Sequence, residues 1–160
     1  LARLNSAGIC NWVYTIIGSG GQRASLEALS DHLGLRGKVA FVGQLQHDQV
    51  IDALADADVF VLPSYREAFG VAYLEAMAMG LLAIGVAGQG PAAFIRHGET
   101  GLLVEPNDVE SLYEAMKSVF DDRFGAQEMA TAGSRVVRSE FTWDRHAEKL
   151  VSVYQEALGR

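Results

Sequence analysis

Two carboxylates, Glu67 and Glu75, stand eight residues apart with Gly70 between them. An apolar, β-prone run at residues 59–62 precedes them and ends at Pro63, which predicts a strand that breaks into a loop. A helical pattern then begins at Gly70. In parallel α/β sheets such a strand-to-helix turn lies at the ligand-binding edge. Carboxylates placed there can bind hydroxyl groups or stabilise positive charge in a transition state, although two solvated surface charges would give the same spacing.

A glycine-rich turn, Gly18, Ser19 and Gly20, follows the first β-prone run at residues 12–17. Backbone N–H groups of such a turn can approach an anion, and the dipole of the next helix favours negative charge. The dinucleotide fingerprint G-x-G-x-x-G would need glycine where Arg23 stands, and no acidic residue ends a strand about 20 residues later. The turn therefore disfavours an NAD-dependent dehydrogenase and leaves a phosphate site or a ligand-free turn as alternatives.

The bulk properties indicate one globular domain. The 160 residues are 49% hydrophobic and 21% charged, and the formal net charge of −7 disfavours nucleic-acid binding through a basic face. No apolar run reaches the ~18–20 residues that a membrane-spanning helix needs. Cys10 is the single cysteine, so no internal disulfide can form and a cytoplasmic location is expected. We expect Cys10 to be buried as a small apolar side chain.

Strand and helix patterns alternate up to residue 104. They predict strands at residues 12–17, 39–42, 59–62, 81–86 and 102–104, and helices at residues 22–33, 47–57 and 70–79. Gly34 is expected to end the first of these helices. Continuous apolar strands in this alternation are typical of a parallel sheet with helices on both faces, a Rossmann-like α/β fold. We predict a single domain over residues 1–160, with a helical tail from about residue 107.

The tail contains three helical patterns. Asn107 or Asp108 caps the first, which runs to about residue 120, and the second spans roughly residues 125–139. The third starts at Thr142, has Asp144 in its first turn and ends near residue 158. We expect Trp143 to anchor this last helix rather than to bind a substrate.

Several segments, in the same order, resemble motifs of the GT4-type (group 1) retaining glycosyltransferases. They are Gly-x-Gly at 18–20, V-x-F-x-G at 39–43, E-x7-E with Phe-Gly inside it at 67–75, LEAMA-x-G at 74–80, G-x-x-G-L-L-V-x-P-x-D at 98–108 and F-x-W at 141–143. Enzymes of this family have the two-domain GT-B architecture and use nucleotide-sugar donors. The resemblance implies that this chain is one half of a GT-B fold, the carboxyl-terminal domain that binds the donor.

The resemblance also implies roles for particular residues. Glu75 would bind the ribose, and Glu67 would lie near the transferred sugar as the catalytic carboxylate. The N–H groups of Gly70 and Val71 would meet the diphosphate. The donor-binding residues implied by these motifs are Gly18, Ser19, Gly20, Val42, Gly43, Gln44, Phe69, Gly70, Val71 and Glu75. Neither a metal nor another cofactor is expected, since helix termini and basic side chains bind the diphosphate in this fold.

The resemblance further implies an N-terminal, acceptor-binding domain upstream of Leu1, with an Arg and a Lys that grip the diphosphate. This chain alone is then expected to be inactive, and any peripheral membrane contact would be made by that other domain. The acceptor would be a glycan, a lipid or a small molecule, and no motif in the sequence identifies it. No motif identifies the base or the sugar of the donor either. Relatives often carry an acid where Ala92 or Ala93 stands here. Two alternatives stay open: a non-catalytic nucleotide-sugar-binding module, or another GT-B enzyme such as a sugar-nucleotide epimerase.

Overall fold

The computed structural model describes residues 1–159. These residues form strands and helices in the alternating order that the sequence predicts, followed by the helical tail. The strands are β1 (Tyr14–Ile17), β2 (Val39–Gly43), β3 (Val59–Val61), β4 (Leu82–Val86) and β5 (Leu102–Val104). The α-helices are α1 (Ala2–Ser6), α2 (Arg23–His32), α3 (His47–Ala55), α4 (Val71–Ala78), α5 (Val109–Asp121), α6 (Arg123–Glu140) and α7 (Trp143–Ala157). A 3₁₀ turn, Gly90–Ala93, follows β4.

Every pair of named strands is parallel, which confirms the predicted sheet type. β1 pairs with β2, while β3, β4 and β5 form a second sheet in that order. Within residues 1–159 no strand pair joins the two sheets, so the predicted parallel sheet is present as two separate parts. In the second sheet, Val61 lies opposite Ile84, which places the carboxyl ends of β3 and β4 side by side. The loops after these two strands therefore meet at one edge.

The core surrounds β4, whose residues are all buried. Leu82, Ile84 and Val86 pack in a cluster with side chains of α5 and α6, whereas Ala83 packs in another cluster with Tyr73 of α4. Successive side chains of a strand point to opposite faces of its sheet. Helices therefore cover both faces of the second sheet, as predicted.

Helix α6 fixes the carboxyl end of α4. A Cβ atom added to Gly133 of α6 would lie 2.5 Å from the carbonyl oxygen of Thr100, so only glycine allows this close approach. The guanidinium of Arg138 donates two hydrogen bonds, of 2.9 and 2.7 Å, to the carbonyl of Ala78, the last residue of α4. Because the last carbonyls of a helix have no partner inside it, these bonds complete α4 and hold it against the tail.

The helix ends agree with the predicted caps. Asp108 Oδ1 accepts hydrogen bonds from the N–H groups of Glu110 (2.8 Å) and Ser111 (3.1 Å), so Asp108 and not Asn107 caps α5. Thr142 Oγ1 accepts from the N–H of Arg145 at 3.2 Å and caps α7. Gly34 follows α2 with a φ of +69°, the left-handed conformation that ends many helices.

Helix α1 is held against α5 by Arg3. Its guanidinium donates two hydrogen bonds to the carboxylate of Glu110, at 2.6 and 2.8 Å, and lies 3.9 Å from the ring centroid of Tyr113. The hydrogen bond lowers the pKa of Glu110 and raises that of Arg3. Arg3 therefore joins α1 to α5, and neither helix contains a residue of the predicted donor site.

Two side-chain predictions are wrong. Cys10 is exposed, because it lies in the loop between α1 and β1 and not in a regular element. Trp143 is 86% exposed at the start of α7. The neighbouring Phe141 takes the anchoring role, with its ring centroid 5.6 Å from that of Phe94 and 6.4 Å from that of Phe69. Phe141, on one side of the cap at Thr142, is partly buried against the core, whereas Trp143 on the other side faces solvent.

Some apolar surface stays open. Three leucines at helical spacing on and just after α2 remain about half exposed, with exposed fractions of 42% for Leu26, 50% for Leu29 and 46% for Leu33. Among the helices of residues 1–159, none combines the length and the apolar character needed to cross a membrane.

Candidate functional site

Glu67 lies in the loop between β3 and α4, where three hydrogen bonds hold it. Its N–H donates to Gln89 Oε1 at 3.2 Å, and its carbonyl accepts from the N–H of Gly90 at 2.8 Å. Its own Oε1 accepts from the N–H of Phe69 at 3.3 Å. The first two bonds come from the turn after β4, at the edge where the loops of β3 and β4 meet. The backbone N–H and the carbonyl of Glu67 are therefore both bonded to the turn after β4.

Gly70 ends this loop in a conformation that other residues rarely adopt. Its φ is +95°, and an added Cβ atom would lie 2.7 Å from Cδ2 of Tyr73. Among residues 1–159, the N–H groups of Gly70 and Val71 find no backbone or side-chain acceptor. Free N–H groups at the positive end of a helix dipole form a place for an anion. The turn thus places the Glu67 carboxylate beside a helix start whose first N–H groups have no acceptor among the described residues.

Tyr73 of α4 packs against the turn at Gly70. It is fully buried, its hydroxyl donates to the carbonyl of Leu62, and its ring packs edge to face on Phe60 with centroids 5.2 Å apart. Burial first, and the charge of Glu67 second, raise the pKa of Tyr73 to about 12. The phenol is therefore neutral at physiological pH and ties the end of β3 to α4.

Glu75 lies in the second turn of α4, beside the start of α3. Its side chain is 30% exposed, and its Oε1 lies 3.9 Å from Nδ1 of His47, whose side chain is 74% exposed. His47 is the first residue of α3, and this helix follows the loop that contains Gly43 and Gln44. The ribose carboxylate implied by the family resemblance thus adjoins the segment implied for the base.

The glycine turn after β1 meets the end of β2. The N–H of Gly18 donates to the carbonyl of Gly43 at 2.7 Å, and both glycines have positive φ, +135° and +79°. Arg23, at the start of α2, donates to the carbonyl of Phe41 at 2.6 Å and comes so near Gly43 that an added Cβ atom would lie 3.3 Å from its Nη1. Arg23 therefore connects the start of α2, just after the glycine turn, to β2 at the predicted nucleotide site.

The predicted site residues fall into two groups. One, at the ends of β1 and β2, comprises Gly18, Ser19, Gly20, Val42, Gly43 and Gln44. The other, at the end of β3 and on α4, comprises Glu67, Phe69, Gly70, Val71 and Glu75. The approach of His47 to Glu75 joins the segment after the first group to the second. Val42, Phe69 and Val71 are 45%, 44% and 60% exposed, so a ligand has apolar surface to cover in both groups.

Neither group forms an evident metal centre. In residues 1–159 no three His, Cys, Asp or Glu side chains come together as metal ligands. The chemistry that this arrangement offers is that of N–H groups for phosphate, carboxylates for hydroxyl groups, and one carboxylate fixed beside the helix start.

Tyr73, Gln89 and His47 are among the residues that contact the site and were not predicted. In the sequence, Tyr73 looks like any aromatic residue of the core. Its one distinguishing signal is its hydroxyl, which must find a hydrogen-bond partner when the side chain is buried. Gln89 reaches Glu67 across 22 positions of sequence. His47 meets Glu75 only because α3 and α4 pack together, so neither contact has a local pattern.

The profile of the family "Glycosyl transferases group 1" matches residues 1–136. The chain belongs to this family. Glycogen synthase of Mycobacterium tuberculosis is 38% identical to this group 1 chain over 146 residues, which are 89% of the chain and 34% of glycogen synthase. The group 1 chain spans about a third of the length of the curated relatives it matches.

Two solved structures show the same fold. The C-terminal domain of LpcC, a group 1 glycosyl transferase of Francisella tularensis, matches with a TM-score of 0.79 at 23% identity, over 88% of this chain and 74% of that chain. Anabaena HepE in complex with UDP-glucose matches with a TM-score of 0.79 at 21% identity, over 94% of this chain and 44% of HepE. The group 1 chain has the fold of a GT-B glycosyltransferase C-terminal domain, as its motifs predicted.

Proposed function

We propose that this chain is the donor-binding half of a retaining, GT4-type glycosyltransferase. The complete enzyme would move a sugar from a nucleotide-diphosphate sugar to an acceptor held by an N-terminal domain. One observation carries the proposal: the free N–H groups of Gly70 and Val71 at the start of α4 lie, along the chain, between Glu67 in the preceding loop and Glu75 in the second turn of α4. Membership of the group 1 family and the similarity to HepE, solved with UDP-glucose, support the class of donor.

The donor diphosphate would bind at the start of α4. Gly70 has no side chain, so phosphate oxygens can approach its N–H and that of Val71, where the helix dipole favours negative charge. In the glycine turn, the N–H groups of Ser19 and Gly20 would be a second place where the backbone meets the donor, since the N–H of Gly18 is bonded to the carbonyl of Gly43. Helix termini and basic side chains of the other domain would supply the remaining charge, and the proposal includes no metal.

The nucleoside would lie beside Glu75 of α4 and the segment that leads from β2 to the start of α3. Glu75 would accept hydrogen bonds from the ribose hydroxyls, because helical side chains lean toward the amino terminus of their helix and so toward the diphosphate. Main-chain groups of Val42, Gly43 and Gln44 would face the base. Charge-assisted hydrogen bonds of this kind contribute about 1.5–3 kcal/mol each.

Glu67 would act on the transferred sugar. A retaining transfer passes through a state in which positive charge develops on the sugar ring, and a carboxylate already fixed nearby stabilises that charge without having to reorganise. The hydrogen bonds of Glu67 to Gln89, Gly90 and Phe69 are what fix its loop. The proposed role of Glu67 is therefore electrostatic.

The test is Glu67→Ala in the intact protein, with release of nucleoside diphosphate from UDP-glucose, ADP-glucose or GDP-mannose as the probe reaction. Loss of an electrostatic group aimed at the transition state should lower turnover by about 10²–10³. Calorimetric affinity for the nucleoside diphosphate should stay unchanged, because its proposed partners are Glu75 and the N–H groups of α4. Glu128→Ala, at an exposed position of α6, is the matched control. Normal turnover in Glu67→Ala would contradict the proposal.

The same assay separates the alternatives. A non-catalytic nucleotide-sugar-binding module would bind the nucleotide and release nothing, and an epimerase would return an isomer of the sugar instead of a glycosylated acceptor. Residues 1–160 alone should be inactive and should bind UDP, GDP or ADP with a dissociation constant no tighter than about 0.1–1 mM. The proposal includes a cytoplasmic location, which the single cysteine supports.

A further inference from the structure

We propose that Gln89 is a positioning residue for Glu67, and that the turn Gly88–Gly90 after β4 sets the place of the catalytic carboxylate. This inference rests on the proposed function of Glu67. Gln89 was not among the predicted site residues, and it acts through Glu67 and not on the donor.

The geometry is that of a two-point clamp on one residue. Gln89 Oε1 accepts a hydrogen bond from the N–H of Glu67 at 3.2 Å, and the next residue, Gly90, donates its N–H to the carbonyl of Glu67 at 2.8 Å. The peptide groups on both sides of the Glu67 Cα atom are thereby bonded to the same turn. Rotation of either group would break one bond, so the clamp restricts φ and ψ of Glu67 together.

The turn is built for this close approach. A Cβ atom added to Gly90 would lie 2.5 Å from the backbone N and Cα of Phe69, so the two loops touch along their backbones and only glycine fits between them. Pro91 is buried and is the second residue of the 3₁₀ turn, where its restricted φ sets the direction of the chain just after the clamp. The clamp is therefore carried by a rigid part of the molecule, the end of the fully buried strand β4.

Within the turn Gly88–Gly90, Gln89 is the residue whose polar side chain can bond to Glu67. Ala92 and Ala93 follow it and carry no polar group. Within residues 1–159, the carboxylate of Glu67 accepts only from its own loop, at the N–H of Phe69. Without the amide oxygen of Gln89, the N–H of Glu67 would lose its acceptor, and the loop would keep a single bond to the turn.

The experiment is a double-mutant cycle in the intact protein, with variants Gln89→Ala, Glu67→Ala and their combination. Turnover is measured as release of nucleoside diphosphate from whichever of UDP-glucose, ADP-glucose and GDP-mannose the protein consumes. Gln89→Ala should lower kcat about 10-fold, as expected for one lost hydrogen bond at a reacting group, and should change KM for the donor less than about twofold. In the Glu67→Ala background, Gln89→Ala should change nothing further, since residues that act as a unit are non-additive. Gln127→Ala, at an exposed position of α6, is the control for loss of a glutamine.

Each result decides the matter. Wild-type kcat in Gln89→Ala, or a further fall of kcat when it is added to Glu67→Ala, would overturn the inference. A rise of KM with kcat unchanged would assign Gln89 to donor binding and would also overturn it. Gln89→Leu, which keeps the bulk of the side chain, replaces Gln89→Ala if that variant unfolds, and unfolding of both would make Gln89 a purely structural residue. Normal turnover in Glu67→Ala alone would refute the proposed function first, which keeps the two failures distinct.

Discussion

Replacing Tyr73 by Phe removes one buried hydroxyl and keeps the ring in place. The hydroxyl donates to the carbonyl of Leu62, which also accepts from the N–H of Ser64 at 2.8 Å. The carbonyl is therefore not orphaned by the change, and the expected loss is that of one neutral hydrogen bond, about 0.5–1.5 kcal/mol of the free energy of unfolding. For a chain of this length the loss corresponds to a fall in Tm of roughly 1–6 °C.

The stability difference between the wild type and Tyr73→Phe should also depend on pH. In the folded protein the pKa of Tyr73 is raised from 10.0 to about 12, so folding favours the neutral phenol. This contribution to stability is fully present below the unfolded pKa of about 10 and is lost as the pH rises toward about 12. Tyr73→Phe has no phenol to ionise. The stability advantage of the wild type over Tyr73→Phe should therefore be constant from about pH 7 to 9 and shrink between about pH 10 and 12.

Urea unfolding followed by circular dichroism, at several pH values for each variant, measures this difference. Tyr14 is a partly buried phenol whose pKa is also raised by burial, but it is present in both proteins, so its effect cancels. Tyr154→Phe, at a position that is 64% exposed, should match the wild type throughout. The stability advantage of the wild type over Tyr73→Phe could instead stay constant from neutral pH to the highest pH measured. That result would show that the fold does not hold the phenol of Tyr73 neutral, and it would contradict the prediction.

The remaining predictions concern stability and are checked by thermal melts and urea unfolding. Gly70→Ala should destabilise by about 2 kcal/mol or more, because φ is +95° and the new Cβ atom would lie 2.7 Å from Tyr73; a Tm equal to that of the wild type would mean that the turn relaxes freely. Asp108→Ala should cost about 1 kcal/mol through loss of the α5 cap, whereas Asp108→Asn should keep most of it. Phe141→Ala should cost about 2–3 kcal/mol and Trp143→Ala less than about 0.5 kcal/mol, so the reverse order would restore Trp143 as the anchor.

The local features of this fold were readable from the sequence. Alternating apolar runs predicted the order of strands and helices, and the continuous apolar run at residues 81–86 became β4, which is buried on both faces. Asp108, Thr142 and Gly34 were recognised because caps depend on one residue and its immediate backbone. The turn with Glu67 and Gly70 was found for the same reason.

Contacts between distant segments were not readable. Whether Phe141 or Trp143 enters the core depends on the direction in which α7 leaves α6, and both residues are large and aromatic. Gln89 meets Glu67 because β3 and β4 are neighbours in register, a property of pairing and not of either segment alone. The division into two sheets likewise depends on which edges pair, and each strand has the same apolar pattern.

The two carboxylates of the site differ in how they are held, and this difference fits their proposed roles. Glu67 sits on a loop whose backbone is clamped by the turn after β4 and supported by the buried Tyr73. A group that stabilises a transition state must already be in place when charge develops, which requires such a fixed loop. Glu75 lies on α4 with its Oε1 3.9 Å from Nδ1 of the exposed His47, where its side chain could change rotamer to meet the proposed ribose. Perturbing the β4 turn should therefore slow the chemistry and leave nucleotide affinity intact, and perturbing the contact between α3 and α4 should do the opposite.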